Sequence, residues 1–344
     1  MNDNSPDASC PCGSGRPARG CCRFPLGQPA DPDVPAEVRQ ALARQEFEDL
    51  AHVQRFLDDF MARYNRQPRE EFHGLSPEQV RRLIYFPFES PELVQITEMA
   101  PAPEQVPMLR IFQVLVEAVG DQGLKHTARG NLPRKVCREM ALARLGEAGY
   151  REATRFGGIN TELDYDEGHA TRVLAELAGL VRKYRGRFVL TRKCRGLLER
   201  GGAAAAWPLL FETYVRKFNW AYRDGYPDLP FIQQAWAFSL YLLVRHGTAW
   251  RLDEFYSGHF LRAFPALLKE VRDEPYRSAE DTVRRCYATR TLARFACFLG
   301  LAESERVETG GILGARRVRA LPLLHELVRF NVTAPLHEPP ATVM

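Results

Sequence analysis

The chain has 344 residues, 45% of them hydrophobic, enough for two or three domains with substantial cores. Lys plus Arg total 47 against 43 for Asp plus Glu, and a formal net charge of +4 excludes a uniformly polycationic nucleic-acid binder, leaving local patches to argue for such contact. No apolar run approaches the roughly 18 residues of a membrane helix and Met1 to Ser9 is polar, so a cytoplasmic protein without membrane insertion is expected.

In chain order the first unit is residues 1–24. Its segment CPCGSGRPARGCC gathers Cys10, Cys12, Cys21 and Cys22, four of the eight cysteines, into two close pairs. Zinc takes four thiolates tetrahedrally at about 2.3 Å, and a closed site of that kind is structural because no position is left for substrate. Gly13 and Gly15 permit the tight turn of a knuckle, and Arg16, Arg19 and Arg23 offset the excess thiolate charge. So short a segment would take most of its folding energy from the metal, Zn2+. Two disulfides, free thiols and an iron–sulfur centre are the alternatives; the lack of a secretory segment argues against disulfides, and the spacing differs from the usual iron–sulfur patterns. The pattern C-x-C-G-S-G, a basic stretch and a final Cys-Cys resembles the SEC-C motif, the small zinc-binding tail of the bacterial preprotein-translocase ATPase that is also attached to many other bacterial proteins. The resemblance implies zinc on Cys10, Cys12, Cys21 and Cys22 and a protein or ribosome as partner. In place of the family's lysine-rich stretch with an aromatic stand Arg16, Pro17, Ala18 and Arg19.

Residues 25–35 carry Pro25, Pro29, Pro32 and Pro35 and read as a tether. A helical region, 36–104, follows. Phe47, Leu50, Phe56, Leu57 and Phe60 recur at helical spacing within 36–63 and are expected to face a core. Ser76, Pro77 and Gln79 form an N-cap, N1 and capping-box pattern for a short helix ending before Pro87.

Residues 105–202 are expected to form a winged-helix-like domain. An apolar helix begins near Met108; Asn131 and Pro133 are placed to start another, and a third covers Glu167 to Ala178. Leu180–Lys183 and Arg187–Leu190 then form a hairpin turning at Arg185 and Gly186, and Thr191 caps the next helix. The hairpin followed by Leu190, Leu197 and Leu198 resembles the wing of a winged-helix domain, a fold that binds DNA in some proteins and serves as a scaffold in others. Two basic stretches permit contact with DNA or RNA phosphates: Lys125, Arg129, Arg134, Lys135 and Arg138, then Arg182, Lys183, Arg185, Arg187, Arg192, Lys193 and Arg195. A solvated basic face is the plain alternative.

GGAAAAW, from Gly201 to Trp207, reads as a flexible hinge into a helical core region, 203–275, in which Phe231–Gly247 is a central helix. Residues 276–344 are expected to hold a second winged-helix-like unit and a tail: GLAES at Gly300–Ser304 stands where GLVRK stands at Gly179–Lys183, Gly310, Gly311 and Gly314 enlarge the wing tip, and Glu303, Glu305 and Glu308 make this copy less basic. Cys137, Cys194, Cys286 and Cys297 read as buried thiols.

None of the zinc-protease, dinucleotide, phosphate-loop or nucleophile-elbow motifs is present, so no catalytic residue is assigned. Histidines at 52, 126, 169, 246, 259 and 325 occur singly and are expected to make ordinary hydrogen bonds. The carboxylates Glu162, Asp164, Asp166 and Glu167, with His169 nearby, are the one local set that raises a metal-dependent or acid–base hypothesis; a polar loop capping the next helix accounts for them more simply. LKHTARGNLPRKV at Leu124–Val136 and FNWAYRDGYPDLPFIQQ at Phe218–Gln234 resemble an uncharacterised bacterial family that carries the zinc motif, which implies one shared body design and no activity. The fold class expected is mainly α: a multidomain helical body with winged-helix-like units and a small N-terminal zinc knuckle. The function expected is a zinc-binding adaptor contacting protein or ribosome, with a DNA- or RNA-binding regulator as the alternative and a metal-dependent enzyme after it.

Overall fold

The computed structural model describes residues 36–307 and 315–332, so Cys10, Cys12, Cys21 and Cys22, the tether, and Gly310, Gly311 and Gly314 lie outside the described residues. The chain divides into a unit ending at Arg66 and a second beginning at Gln67. In the first, the expected long helix is two helices, α1 (Ala36–Ala43) and α2 (Leu50–Arg66). The Asp49 carboxylate accepts the His52 amide at 2.6 Å, an N-cap contact that favours a fresh start over continuation. The aromatic face expected to enter a core does not: no described side chain of α2 is buried and Leu50 is 87% exposed. Its rings instead pack on one another, Phe47 on Phe56 and Phe60 on Tyr64.

The second unit is mainly helical. Its first helix, α3 (Pro77–Tyr85), carries the anticipated capping box: the Gln79 amide donates to Ser76 Oγ at 3.3 Å and the Ser76 amide to Gln79 Oε1 at 2.8 Å. A short strand, β1 (Val94–Ile96), leads to α4 (Pro107–Val119), whose residues Met108, Leu109, Ile111, Phe112 and Leu115 are fully enclosed. Then come β2 (Leu124–Lys125), α5 (Arg134–Ala153), α6 (Asp166–Leu177), β3 (Val181–Tyr184), β4 (Arg187–Leu190) and α7 (Arg192–Gly201). The three strands form an antiparallel sheet in the order β2-β4-β3. The hairpin turns at Arg185 and Gly186, both with positive φ, and Thr191 Oγ1 caps α7 by accepting the Cys194 amide at 3.1 Å. Asn131 does not cap α5. Pro133 stands at that position with no side-chain cap, while the Asn131 amide closes a turn onto Thr127 Oγ1 at 3.1 Å.

The GGAAAAW segment is not a flexible hinge: Gly202–Ala206 is a 3-10 turn with Ala203 and Ala206 buried, and it runs straight into α8 (Trp207–Arg216). Beyond an irregular loop the helix expected over Phe231–Gly247 is divided at Ala235 into α9 (Pro230–Gln234) and α10 (Trp236–His246). Next are β5 (Arg251–Leu252), α11 (Asp253–Ala263), α12 (Ala279–Tyr287), a π-helical continuation at Ala288–Cys297, β6 (Ala302–Arg306), β7 (Arg316–Ala320), α13 (Pro322–Leu327) and β8 (Val328–Phe330). A second three-stranded antiparallel sheet has the order β5-β7-β6, so Arg251 and Leu252 pair with Val318 and Arg317 across the 275/276 boundary drawn from sequence. Finally β8 pairs with β1, Val94 opposite Phe330 and Ile96 opposite Val328.

The helices of this unit bury one continuous apolar cluster from Leu75 to Val328. Trp207, Trp220 and Phe295 are among its largest enclosed side chains. Among the described residues no helix is long and apolar enough to cross a membrane.

Candidate functional site

The first sheet aligns part of the basic sequence. Cross-strand register places Lys125 opposite Arg187, and Arg187 opposite Tyr184. Because side chains alternate along a strand, these three and Arg182 share the face opposite to that of the buried Phe188. Tyr184 is 47% exposed, with the guanidinium carbons of Arg182 and Arg185 at 5.2 and 5.1 Å from its ring centre. Lys183 points the other way, its Nζ 5.5 Å from the centre of Phe188 and close over Gly130, which brings the 126–131 turn and exposed Arg129 to the hairpin's edge. Arg134 and Lys135 open α5, and Arg192 and Lys193 open α7, rather than joining the row. Arg195 is 3.6 Å from the Asp121 carboxylate, Lys135 is 3.8 Å from Glu139, and Arg138 Nε donates to the Ile159 carbonyl.

The carboxylate set divides. Asp164 accepts the amides of Asn160 and Thr161 at 3.0 and 2.8 Å, closing the turn before it rather than capping α6, which has no side-chain cap; those contacts hold its carboxyl below the usual range. Glu162 is different. Its residue is 1% exposed, and it accepts His169 Nδ1 at 2.7 Å, Arg172 Nε at 2.6 Å and the Leu132 amide at 2.5 Å. Burial would raise its carboxyl, but the hydrogen bond from His169 and the Arg172 charge outweigh that effect and hold it below the ordinary glutamate value. With Nδ1 engaged by a carboxylate, the His169 ring is fixed and Nε2 meets the Tyr222 hydroxyl at 3.2 Å, the two rings stacked.

This relay forms one wall of a cavity of about 130 Å³ lined chiefly by the rings of Tyr214, Phe218, Tyr222 and Phe298, with Arg223 and Arg294 at hand. Two backbone features frame it. The loop carrying Tyr222 and Arg223 holds Arg223 at φ 55°, and Arg294 rises from the π-helical turn, a geometry often found at functional sites. A buried ion pair ties them together: Arg290, 1% exposed, donates from Nε to Asp224 Oδ2 at 2.6 Å and from Nη2 to Asp224 Oδ1 and the Pro227 carbonyl. Arg294 Nη1 donates to the Tyr222 carbonyl at 2.9 Å and its guanidinium lies 3.6 Å from Asp166; Glu167 faces Arg144 at 3.3 Å. The structure thus links the Leu132 amide through Glu162 and His169 to the Tyr222 hydroxyl. Arg290 and Arg294 carried no motif signal, and Tyr222 stood only within the dense polar run NWAYRDGYPD.

His246 and His259 do not occur singly. His73 Nδ1 lies 3.2 Å from His246 Nε2, and the His73 and His259 rings are centred 4.5 Å apart. Burial, the other two rings and nearby arginines push His73 down to about 3; burial, the His259 ring and arginines push His246 down to about 4; burial and the charges of Arg262 and Arg251 push His259 down to about 4. Cys137, Cys194 and Cys286 are buried thiols and Cys297 is half-buried, with burial raising all four. Among the described residues no group of three or more His, Cys, Asp or Glu side chains is arranged to hold a metal ion. Comparison of the chain with family models, curated proteins and solved structures returned no match.

Proposed function

We propose that the protein is a zinc-binding adaptor: a helical body of winged-helix-like scaffolds carrying, on a proline-rich tether, a Cys10–Cys12–Cys21–Cys22 knuckle that contacts a protein or a nucleoprotein such as the ribosome. The strand orders β2-β4-β3 and β5-β7-β6, each preceded by helices and closed by a hairpin, support the winged-helix-like reading. The observation that carries the scaffold role is the burial of α6, the helix that precedes the basic hairpin. On α6 the residues Gly168, His169, Thr171, Arg172, Leu174 and Ala175 are buried, whereas α12 buries one face, Thr282, Val283, Cys286 and Tyr287, and leaves Glu280, Asp281 and Arg285 exposed. A helix enclosed like α6 is not free to enter a major groove, the usual duplex-reading geometry of helix-turn-helix folds. The four soft donors of the knuckle suit zinc, which would supply its fold and no catalysis. Pull-down with the intact chain and with Cys10→Ser/Cys12→Ser tests this reading: specific partners should vanish with the zinc, and an unchanged set after demonstrated metal loss rejects it.

The row Lys125–Arg187–Tyr184 favours a second reading, contact of the first hairpin with RNA or DNA. Guanidiniums beside an exposed ring suit single strands, whose phosphates pair with the cations while a base stacks on the ring. Salt titration with single- and double-stranded oligonucleotides tests it. Affinity for single strands should fall steeply with salt, and absence of binding at low salt removes this reading.

A further inference from the structure

We propose that the cavity between α6, α8 and the π-helical turn is a binding site for a small aromatic carboxylate, a ligand site independent of the zinc knuckle and of the basic hairpin. Size sets the first limit. An apolar cavity near 150 Å³ holds benzene, and about 130 Å³ here accommodates one ring with its polar substituent toward solvent. The walls match such a ring: Tyr214 and Phe218 are stacked at 5.1 Å with 18° between planes, and Tyr222 stacks on His169 from another side.

The polar groups set the second limit. Tyr214 is occupied as a donor to the Arg294 carbonyl at 2.5 Å, and His169 is engaged on both ring nitrogens. Arg223, exposed at the rim, makes one long contact of 3.4 Å to the Leu163 carbonyl, whereas Arg294 is spent within the protein, Nη1 on the Tyr222 carbonyl at 2.9 Å and Nη2 on the Arg223 carbonyl at 3.4 Å and beside Asp166 at 3.6 Å. Glu167 is compensated by Arg144. The donors left for an incoming group are therefore those of the Arg223 guanidinium, which matches a carboxylate through charge and planar geometry. The Asp224–Arg290 pair and the fixed His169 ring hold the two sides of the cavity, so little ordering is required on binding.

Titration of the full chain with benzoate, benzyl alcohol and benzylamine, followed by calorimetry and by NMR of the aromatic signals, tests the assignment. Benzoate should saturate, about 10-fold or more tighter than either analogue. Ala293→Phe, which fills the cavity from an exposed lining position, should abolish binding of all three, and Arg223→Gln should weaken benzoate about 10-fold while leaving benzyl alcohol unchanged. Both variants must retain the wild-type circular dichroism; a benzoate affinity unaffected by a folded Ala293→Phe protein moves binding elsewhere and overturns the site. No saturable binding by any probe overturns the proposal, and equal affinity for the three, or preference for benzylamine, overturns the carboxylate assignment. None of these outcomes depends on zinc or on partner capture.

Discussion

The two three-stranded sheets share a strand order and differ in what they show to solvent. On β2-β4-β3 the cations Lys125, Arg182 and Arg187 have no carboxylate partner among the described residues, and the ring between them, Tyr184, is exposed. On β5-β7-β6 the cross-strand register sets Arg317 against Glu305 and Arg319 against Glu303 as ion pairs, and both guanidiniums lie about 5 Å from the centre of the Trp250 ring. The first sheet leaves positive charge for a partner; the second satisfies it internally. Strand order and surface chemistry are thus separable, and only the latter argues for contact with phosphate.

In their interiors the two halves are alike. Each buries one arginine against one carboxylate, Arg172 with Glu162 and Arg290 with Asp224. Asp224→Ala should cost about 3–5 kcal/mol, the usual result of leaving a buried charge unpaired. Glu162→Ala should fall in the same range because it also strips His169 and the Leu132 amide. Urea denaturation measures both, and a loss below about 1 kcal/mol at either position breaks the equivalence.

Histidine environments separate the halves again. His169 faces a carboxylate, whereas His73, His246 and His259 face one another, with Arg245, Arg251 and Arg262 around them. Their folded-state values lie below the ordinary 6.5, so their contribution is present above that pH and is lost as pH falls toward about 4. Thermal melts between pH 7 and 4.5 should show a loss of about 1–3 kcal/mol, reduced in His259→Phe. A flat profile in the wild type would show that these rings do not remain neutral together.

Smaller effects test the surfaces. Arg182→Ala with Arg187→Ala should lower single-strand affinity about 10-fold and reduce the salt slope by about 1.4, at roughly 0.7 per phosphate contact. Arg319→Ala should leave binding unchanged, and equal losses in the two variants would erase the contrast. For stability Arg319→Ala should cost about 0.5 kcal/mol or less, as half-exposed ion pairs do.

Local rules were legible where one short segment contains both partners: Ser76 with Gln79, Thr191 with the Cys194 amide, and the Arg185–Gly186 turn. Asn131 does not cap because the helix starts two residues later, with Pro133 at the N-cap position. The aromatic periodicity of 47–60 marked a helical face without saying what would cover it, and no α2 side chain is buried. Glu162 was noticed as part of an acidic cluster, yet its distinct role depends on Leu132, His169 and Arg172 meeting in space. The cavity was illegible for the same reason: Tyr222 lies 53 residues from His169, and no pattern of one segment encodes that approach.

The pairing of β1 with β8 ties residues 93–97 to residues 327–331, since the Asn331 amide donates to the Leu93 carbonyl and the Thr97 amide to that of Leu327. During synthesis β1 is therefore made long before its partner. At about 5–20 residues per second the interval is on the order of ten to fifty seconds, a period in which the edges of Val94–Ile96 stay open to other strands. Completion of the body consequently waits for Phe330, and a slow codon stretch between the two strands would lengthen the period in which this one strand is open to misassembly.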